Sequence, residues 1–229
     1  IVCEQTAHYI PELGRESVII FFVLSGYVIA YTTELKKQTL QDYVVARCAR
    51  IYSVAMPVLL LAFFIVFLAS KYAQVEVHGT FQIAKSYIYI PFHLLFAGEL
   101  WHLSQTPPWL GAYWSLGFEV WYYIFFASLY YLTGYKRLFA ASIIFVVMGY
   151  KLWLLLPIWF GGVYLFHWLK THTFSVTTAR TGWCVTVLVF IIFKLCDMDV
   201  YLRVLGNELW PFSNFKLGSA DRYLADYCV

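Results

Sequence analysis

Residues 52–70 read YSVAMPVLLLAFFIVFLAS and contain no charged side chain. A helix rises 1.5 Å per residue, so roughly 20 mostly apolar residues are enough to cross the ~30 Å hydrocarbon layer of a bilayer. The stretch is therefore long enough to cross a membrane as one helix.

Similar apolar stretches recur on both sides of this segment. Clear ones cover residues 112–133, where Glu119 is the single formal charge, and 152–169; shorter ones cover 17–31, 138–150 and 182–196. The pattern predicts an all-α fold, a multi-pass transmembrane helical bundle of about six spans. We expect one integral-membrane domain over residues 1–229, truncated at both ends.

The composition excludes several classes of protein. Of the 229 residues, 62% are hydrophobic and 13% charged, whereas soluble domains average about 45–50% and about 25%. An aromatic content of 21% argues against a disordered chain. Because 16 Lys and Arg barely outnumber 13 Asp and Glu, we expect membrane lipid as a partner and no nucleic acid.

The basic residues of the connecting loops alternate along the chain. Lys and Arg accumulate in short cytoplasmic loops. Three connectors carry them and are predicted to share the cytoplasmic side, with residues 71–111 outside: they contain Lys36, Lys37, Arg47 and Arg50; Lys136 and Arg137; Lys170 and Arg180.

Glu119 lies inside the predicted span 112–133, roughly 10 Å from its outer end. A centred acid costs about 2.5–3.5 kcal/mol on insertion scales, so it needs a partner or a water-filled cavity, or it is protonated. Ser115 precedes it by four residues and shares its helix face. The aromatic residues around it are either an interfacial belt or a surface for stacking sugars: Tyr113, Trp114 and Trp121.

Arg47 and Arg50 share one face of a helix that enters the membrane near Tyr52. Two adjacent guanidinium groups suit phosphate or pyrophosphate, although anchoring to the positive-inside loop or to anionic lipid explains them equally well. Glu99 and His102 are three residues apart, but no second pair of this kind exists, so we predict no metal site.

Four motifs follow one another along the chain. They are Phe21-Phe22-Val23-Leu24-Ser25-Gly26-Tyr27, Arg47-x-x-Arg50-x-Tyr52, Tyr113-Trp114-Ser115-Leu116-x-x-Glu119-x-x-Tyr122-Tyr123 and Leu156-Pro157-Ile158-Trp159-Phe160-Gly161-Gly162. In this order the chain resembles the membrane-bound acyltransferase family 3, the O-acetyltransferases of cell-surface polysaccharides.

The resemblance implies a larger membrane bundle and an activity. The family moves an acyl group, commonly acetyl from acetyl-CoA, to a sugar hydroxyl, so acyl-CoA is expected as co-substrate, a carbohydrate as acceptor and no bound cofactor. The expected location is the bacterial inner (plasma) membrane. Arg47, Arg50 and Tyr52 would bind the donor, and Tyr113, Trp114 and Trp121 would line the acceptor path.

The same resemblance points to a catalytic His near the end of the family's first helix. By distance from Phe21 it would fall near Gln5, and the nearest imidazole is His8. Either His8 is the general base, with Glu119 and Ser115 orienting it or the sugar, or the catalytic His is absent and this fragment is inactive.

A transporter or flippase for a lipid-linked sugar or small solute, without acyl chemistry, is the alternative function. It predicts a pseudo-symmetric repeat with broken helices in matching halves, and the sequence shows no such repeat.

Overall fold

The computed structural model describes residues 14–73, 86–212 and 214–229, and helices account for the regular secondary structure of these residues. Short 3-10 turns cover Ala97–Glu99 and Gly218–Ala220. The α-helices, in chain order, are α1 (Gly14–Leu35), α2 (Leu40–Leu68, continued by a π-helical turn over Ala69–Ala73), α3 (Ser86–Leu94), α4 (Tyr113–Tyr131), α5 (Gly134–Met148), α6 (Tyr150–Thr171), α7 (Val176–Leu195), α8 (Met198–Leu209) and α9 (Tyr223–Asp226).

Four of these helices are long and apolar enough to cross a membrane: α1, α2 with most of its π-helical turn, α6 and α7. The expected count of about six spans is therefore not confirmed. One of the two missing spans is α5, which has 15 residues and is only about 22 Å long, shorter than the hydrocarbon layer. The other is α4, a helix of 19 residues with Glu119 in its interior.

Three of the helices run in the same direction. Near the C-terminal ends of α1 and α6, Lys170 Nζ lies 2.9 Å from Glu34 Oε2. At the end of α4, the Tyr131 hydroxyl donates a hydrogen bond of 3.1 Å to the Gln38 carbonyl, just beyond α1. The connectors that follow α1, α4 and α6 thus lie at one end of the molecule, with Lys36 and Lys37 in the first of them and Lys136 and Arg137 in the first turn of α5.

The opposite end is held by ion pairs between distant parts of the chain. Lys151 at the start of α6 is fully buried, and its Nζ lies 3.1 Å from Glu99 Oε2. The same carboxylate oxygen accepts a hydrogen bond of 2.7 Å from the Ser219 hydroxyl. Arg15 pairs in the same way with Asp226. Because each buried charge has an opposite charge beside it, these contacts fix the loops to the helix ends.

The closest helix contact joins α1 to α6. A Cβ atom on Gly26 would lie 2.1 Å from the Trp159 carbonyl oxygen, and one on Gly162 would lie 1.9 Å from the Val23 carbonyl oxygen. Small residues permit such an approach of two backbones. Gly26 follows Ser25 in α1 and Gly162 is the second of two adjacent glycines in α6, so each helix has a position without a side chain at the contact. We call this contact the glycine seam.

Large aromatic rings fill the space between the seam and α4. The Phe22 ring of α1 stacks on Phe118 of α4 at 6.1 Å, and the Tyr122 ring lies 5.9 Å from Trp159 of α6. All four side chains are at most 2% exposed in the described structure. The core therefore lies where α1, α4 and α6 meet, whereas every residue of α7 is half-buried or exposed.

Candidate functional site

A polar cluster around Glu119 interrupts this aromatic core. Glu119 is 1% exposed and Ser25 is 2% exposed. The Ser25 hydroxyl donates a hydrogen bond of 3.0 Å to Glu119 Oε1, and the Tyr123 hydroxyl donates to the same oxygen. The Trp159 indole Nε1 donates to Ser25 Oγ at 3.4 Å. The buried acid thus has the partners that the cost of its burial requires.

The local sequence explains why these groups meet. Glu119 and Tyr123 are four residues apart on α4, so their side chains leave the helix on one face. Ser25 comes from α1, where the neighbouring Gly26 allows the backbone of Trp159 to approach. The glycine seam therefore brings the hydroxyl of α1 and the indole of α6 to the carboxylate of α4.

Both predicted arginines point toward this cluster. Arg50 Nη2 lies 3.8 Å from Glu119 Oε1, and the Arg50 side chain is 41% exposed. The Arg47 guanidinium lies 5.7 Å from the centre of the Tyr123 ring and donates a hydrogen bond of 3.1 Å to Thr32 Oγ1. Arg47 Nε is buried and has no hydrogen-bond partner among the described residues. The guanidinium groups that were predicted to hold phosphates thus lie beside the acid.

An open cleft of about 260 Å³ separates α2 from α4 next to this cluster. Arg47 and Tyr123 are part of its wall, and the remaining wall is mostly apolar. The lining residues are Tyr43, Val44, Arg47, Cys48, Ile51, Tyr52, Phe96, Val120, Tyr123, Ile124 and Ala127. The cleft is slightly below the usual size of ligand pockets, about 300–1,000 Å³.

The structure does not bring Ser115 to Glu119. The Ser115 hydroxyl donates a hydrogen bond of 2.9 Å to the carbonyl oxygen of Ala112 in its own helix turn. The serine hydroxyl that does meet the carboxylate belongs to Ser25, beside the Tyr123 hydroxyl. A spacing of four residues places two side chains on one face of a helix, but either side chain can still hydrogen-bond to a closer acceptor.

The polar atoms of the other predicted site residues are bound to the protein itself or lie against it. The Tyr52 hydroxyl donates to the Leu94 carbonyl at 2.9 Å. Tyr113 donates to the His93 carbonyl at 2.9 Å and Trp121 Nε1 to the Phe96 carbonyl at 3.1 Å. The Arg15 guanidinium lies 4.6 Å from the Trp114 ring centre. Tyr52, Tyr113 and Trp121 therefore also hold residues 93–96, and Phe96 of this segment lines the cleft.

His93, near the end of α3, belongs to this segment, and its side chain is 2% exposed. Its ring makes edge contacts with Phe92 and Tyr113, and its Nδ1 has no hydrogen-bond partner among the described residues. Burial disfavours the charged imidazole and lowers the pKa of His93 to about 4. At neutral pH this imidazole is therefore uncharged.

Sequence reasoning missed Ser25 and Tyr123 as members of the site. Tyr123 follows Glu119 by four residues, the same spacing that led to Ser115 on the other side, so the pattern contained it. Ser25 could not be assigned to the site from the sequence, because nothing in a single sequence says which helix lies opposite. His8, the predicted general base, lies outside the described residues.

Comparison with known proteins gives one family. The model of the acyltransferase domain that defines acyltransferase family 3 matches residues 4–193, which is most of the chain. No curated protein and no solved structure matches this chain.

Proposed function

The chain belongs to acyltransferase family 3, and on this premise we propose that the intact protein is a multi-pass enzyme of the bacterial inner membrane. It would transfer an acyl group from acyl-CoA to a hydroxyl of a cell-surface carbohydrate, giving an ester. Acyltransferase activity follows from the family, and the four apolar helices agree with a membrane protein.

One observation carries the proposal: Arg47, Arg50 and Glu119 meet beside the cleft between α2 and α4. The arginines offer guanidinium donors for an anionic ligand, and Arg47 Nε still lacks a partner among the described residues. Guanidinium groups bind phosphate oxygens in a bidentate manner. The phosphates of acyl-CoA are therefore a suitable ligand for this pair.

The reaction has a simple balance. The acceptor oxygen forms a bond to the acyl carbonyl carbon, and the carbon–sulfur bond of the thioester breaks. The hydroxyl proton passes to a general base, and the leaving thiolate takes up a proton to give the CoA thiol. A positioned base contributes about 10²–10⁴-fold to such a step.

Glu119 would orient the general base while it keeps its own hydrogen bonds. Its Oε1 already accepts hydrogen bonds from Ser25 and Tyr123. A carboxylate held in this way is positioned to orient an imidazole and to stabilise its charged form. We assign the base to His8, and Ser25 takes the orienting role that was expected of Ser115.

The acceptor would pass along the aromatic residues at the start of α4. The polar atoms of Tyr113 and Trp121 are bound to backbone carbonyls, so these residues would contact a sugar through their ring faces. Trp114 would do the same with the part of its ring that Arg15 does not cover.

Acyl transfer in the full-length protein tests the proposal. The protein is reconstituted in nanodiscs and given acetyl-CoA labelled in the acetyl group, with membrane-derived polysaccharide as acceptor. Arg47→Gln and Arg50→Gln are each expected to reduce transfer at least tenfold. Arg137→Gln, at an exposed position on α5, is the matched control and is expected to behave as wild type. Undiminished transfer in both cleft variants would exclude the donor role.

A further inference from the structure

The two arginines of the candidate site differ in how firmly the protein holds them. The Arg50 side chain is 41% exposed, and its Nη2 lies 3.8 Å from Glu119 Oε1. Arg47 is half-buried and contacts side chains from three helices. We propose that Tyr43 on α2 and Thr32 on α1 are positioning residues, which hold the Arg47 guanidinium in place before the donor arrives. This inference rests on the proposed function, because it takes the phosphates of acyl-CoA as the ligand of Arg47.

Thr32 presents Arg47 with an oxygen whose own proton is already used. The Thr32 hydroxyl donates a hydrogen bond of 2.8 Å to the Val28 carbonyl, four residues earlier in α1. A hydroxyl has one proton and two lone pairs, so the oxygen can still accept. Arg47 Nη2 donates to this oxygen at 3.1 Å. The bond to the α1 backbone therefore fixes the direction from which the hydroxyl accepts the guanidinium.

Two tyrosine rings limit the guanidinium in other directions. Its central carbon lies 5.6 Å from the centre of the Tyr43 ring and 5.7 Å from that of the Tyr123 ring. A guanidinium within about 6 Å of a ring centre is attracted to the face of the ring. Tyr43 precedes Arg47 by four residues on α2, so both side chains leave one helix face, whereas Tyr123 belongs to α4. Both helices that line the cleft thus hold this cation.

Tyr43 is itself held in one position. It is 2% exposed, and its hydroxyl donates a hydrogen bond of 3.0 Å to the Tyr123 carbonyl. Its ring lies 5.6 Å from the ring of Tyr131 and stacks on Phe126 at 6.3 Å. A ring confined in this way restricts the rotamers open to Arg47.

A guanidinium that is held in advance should bind the donor more tightly. A long side chain that becomes ordered only on binding lowers affinity by about two- to tenfold. Arg47 has already lost this freedom through its contacts with Thr32 and the two tyrosine rings. Loss of the Tyr43 ring should therefore weaken donor binding even though Arg47 itself is still present.

Equilibrium binding of coenzyme A to the full-length protein provides the test, in nanodiscs of phosphatidylcholine so that no anionic headgroup competes for Arg47. Tyr43→Leu removes the ring and is expected to raise the Kd about fivefold or more. Tyr43→Phe keeps the ring and should stay within about twofold of wild type. Thr32→Val removes the acceptor and is expected to raise the Kd about threefold.

The chain offers a matched control for each change. Tyr135→Leu removes a ring from α5 at a position that is 78% exposed. Thr181→Val removes a hydroxyl from α7 that, like that of Thr32, donates to the carbonyl four residues earlier. Both controls are expected to keep the wild-type Kd for coenzyme A.

A double variant shows whether Tyr43 acts through Arg47. Effects of two residues that act through one contact are not additive. Tyr43→Leu should therefore raise the Kd in the wild type and have no further effect in the Arg47→Gln background. A variant that only folds less completely would bind less coenzyme A at saturation with an unchanged Kd. An unchanged Kd in Tyr43→Leu, or an equal rise in both backgrounds, would overturn the proposal.

Failure of this inference is distinguishable from failure of the proposed function. Weaker binding in Arg47→Gln, together with wild-type binding in Tyr43→Leu and Thr32→Val, overturns only the positioning role. Undiminished binding in Arg47→Gln excludes Arg47 as a ligand of the donor's phosphates, and the positioning role with it.

Discussion

Helix α6 approaches α1 so closely that a methyl group has no room at Gly162, whereas α2 stands away from α4 and leaves a cleft of about 260 Å³. Both regions border the same carboxylate. The glycine seam supplies Ser25, which donates to Glu119, and the cleft side supplies Arg50, 3.8 Å from it. The buried acid is thus held by a hydroxyl on one side and faces a partly exposed cation on the other.

The two regions therefore have different roles: the seam holds side chains in place, and the cleft side lets a ligand reach the arginines. Close packing in the seam allows few alternative positions for Ser25 and Trp159, because interiors packed at this density transmit small displacements. Arg50 is 41% exposed and Arg47 is half-buried, so both can respond to a ligand. Changes in the seam should therefore reduce stability, and changes at the cleft should reduce activity.

The largest effect is expected where the two regions meet. Glu119→Gln keeps the size of the side chain and removes its charge, so the base loses its orienting partner and Arg50 its counter-ion. We expect acyl transfer to fall at least a hundredfold. The measurement is kcat/KM for transfer by the full-length protein in nanodiscs.

The control for this variant is Glu208→Gln, which makes the same change at an exposed position on α8. It should keep wild-type transfer. If Glu119→Gln were as active as Glu208→Gln, the carboxylate would have no part in the reaction and would serve packing alone.

The glycine seam can be broken with one methyl group. Gly162→Ala would place a Cβ 1.9 Å from the Val23 carbonyl oxygen, so α1 and α6 would have to separate. Overpacking of this kind typically costs about 1–3 kcal/mol. Thermal denaturation of the purified protein in detergent should therefore begin at a lower temperature.

Gly161→Ala is the matched control for the seam, since a Cβ there would meet no atom within 4 Å in the described part of the chain. Because alanine favours helix over glycine by up to about 1 kcal/mol, this variant should be as stable as wild type or more so. Equal loss of stability in the two variants would show that α6 is sensitive to any added methyl rather than to its contact with α1.

Acidification should reduce the stability of the folded protein through His93. The pKa of His93 is about 4 in the folded protein, and that of an unfolded histidine is about 6.5. Between these values the unfolded chain binds a proton that the folded chain does not, so the free energy of unfolding falls as the pH falls. The expected loss is about 1 kcal/mol between pH 6 and pH 5.

Thermal denaturation of wild type and His93→Phe over this pH range measures that contribution. The variant keeps a ring against Phe92 and Tyr113 but cannot take up the proton. The two proteins should therefore differ in the slope of stability against pH. Parallel curves would mean that His93 reaches solvent when it titrates.

The all-helical fold could be predicted from the sequence because a long apolar stretch directly indicates a helix that is buried or faces lipid. Residues 52–70 lie within α2 and its π-helical turn, and 152–169 within α6. The number of spans could not be predicted in the same way, because the predicted stretch 138–150 forms α5, which has only 15 residues and is followed by Gly149 at φ 78°. The exact end of a helix at such a glycine leaves no trace in hydropathy.

The site was predictable where one helix contains it and unpredictable where several helices form it. Arg47 and Arg50 on α2 and Glu119 on α4 were identified because charges are rare in this chain. The approach of Arg50 to 3.8 Å from Glu119 depends on how α2 and α4 pack, which no single segment encodes. Ser25 was missed for the same reason, since its hydroxyl gains its role only from the acid of another helix.

The smallest effect is expected at Ser115, the residue that the sequence paired with Glu119. Its hydroxyl donates to the Ala112 carbonyl in the same helix, so Ser115→Ala removes a local hydrogen bond and leaves the carboxylate with Ser25 and Tyr123. Surface or local changes of this kind usually stay within about 0.5 kcal/mol, and transfer should stay within about twofold of wild type. Ser25→Ala is the informative partner, since it removes a donor from Glu119 itself and should reduce kcat/KM about tenfold or more. The reverse order, with Ser115→Ala the more damaging, would mean that the substrate meets α4 at Ser115 and that the contact of Ser25 with Glu119 is only structural.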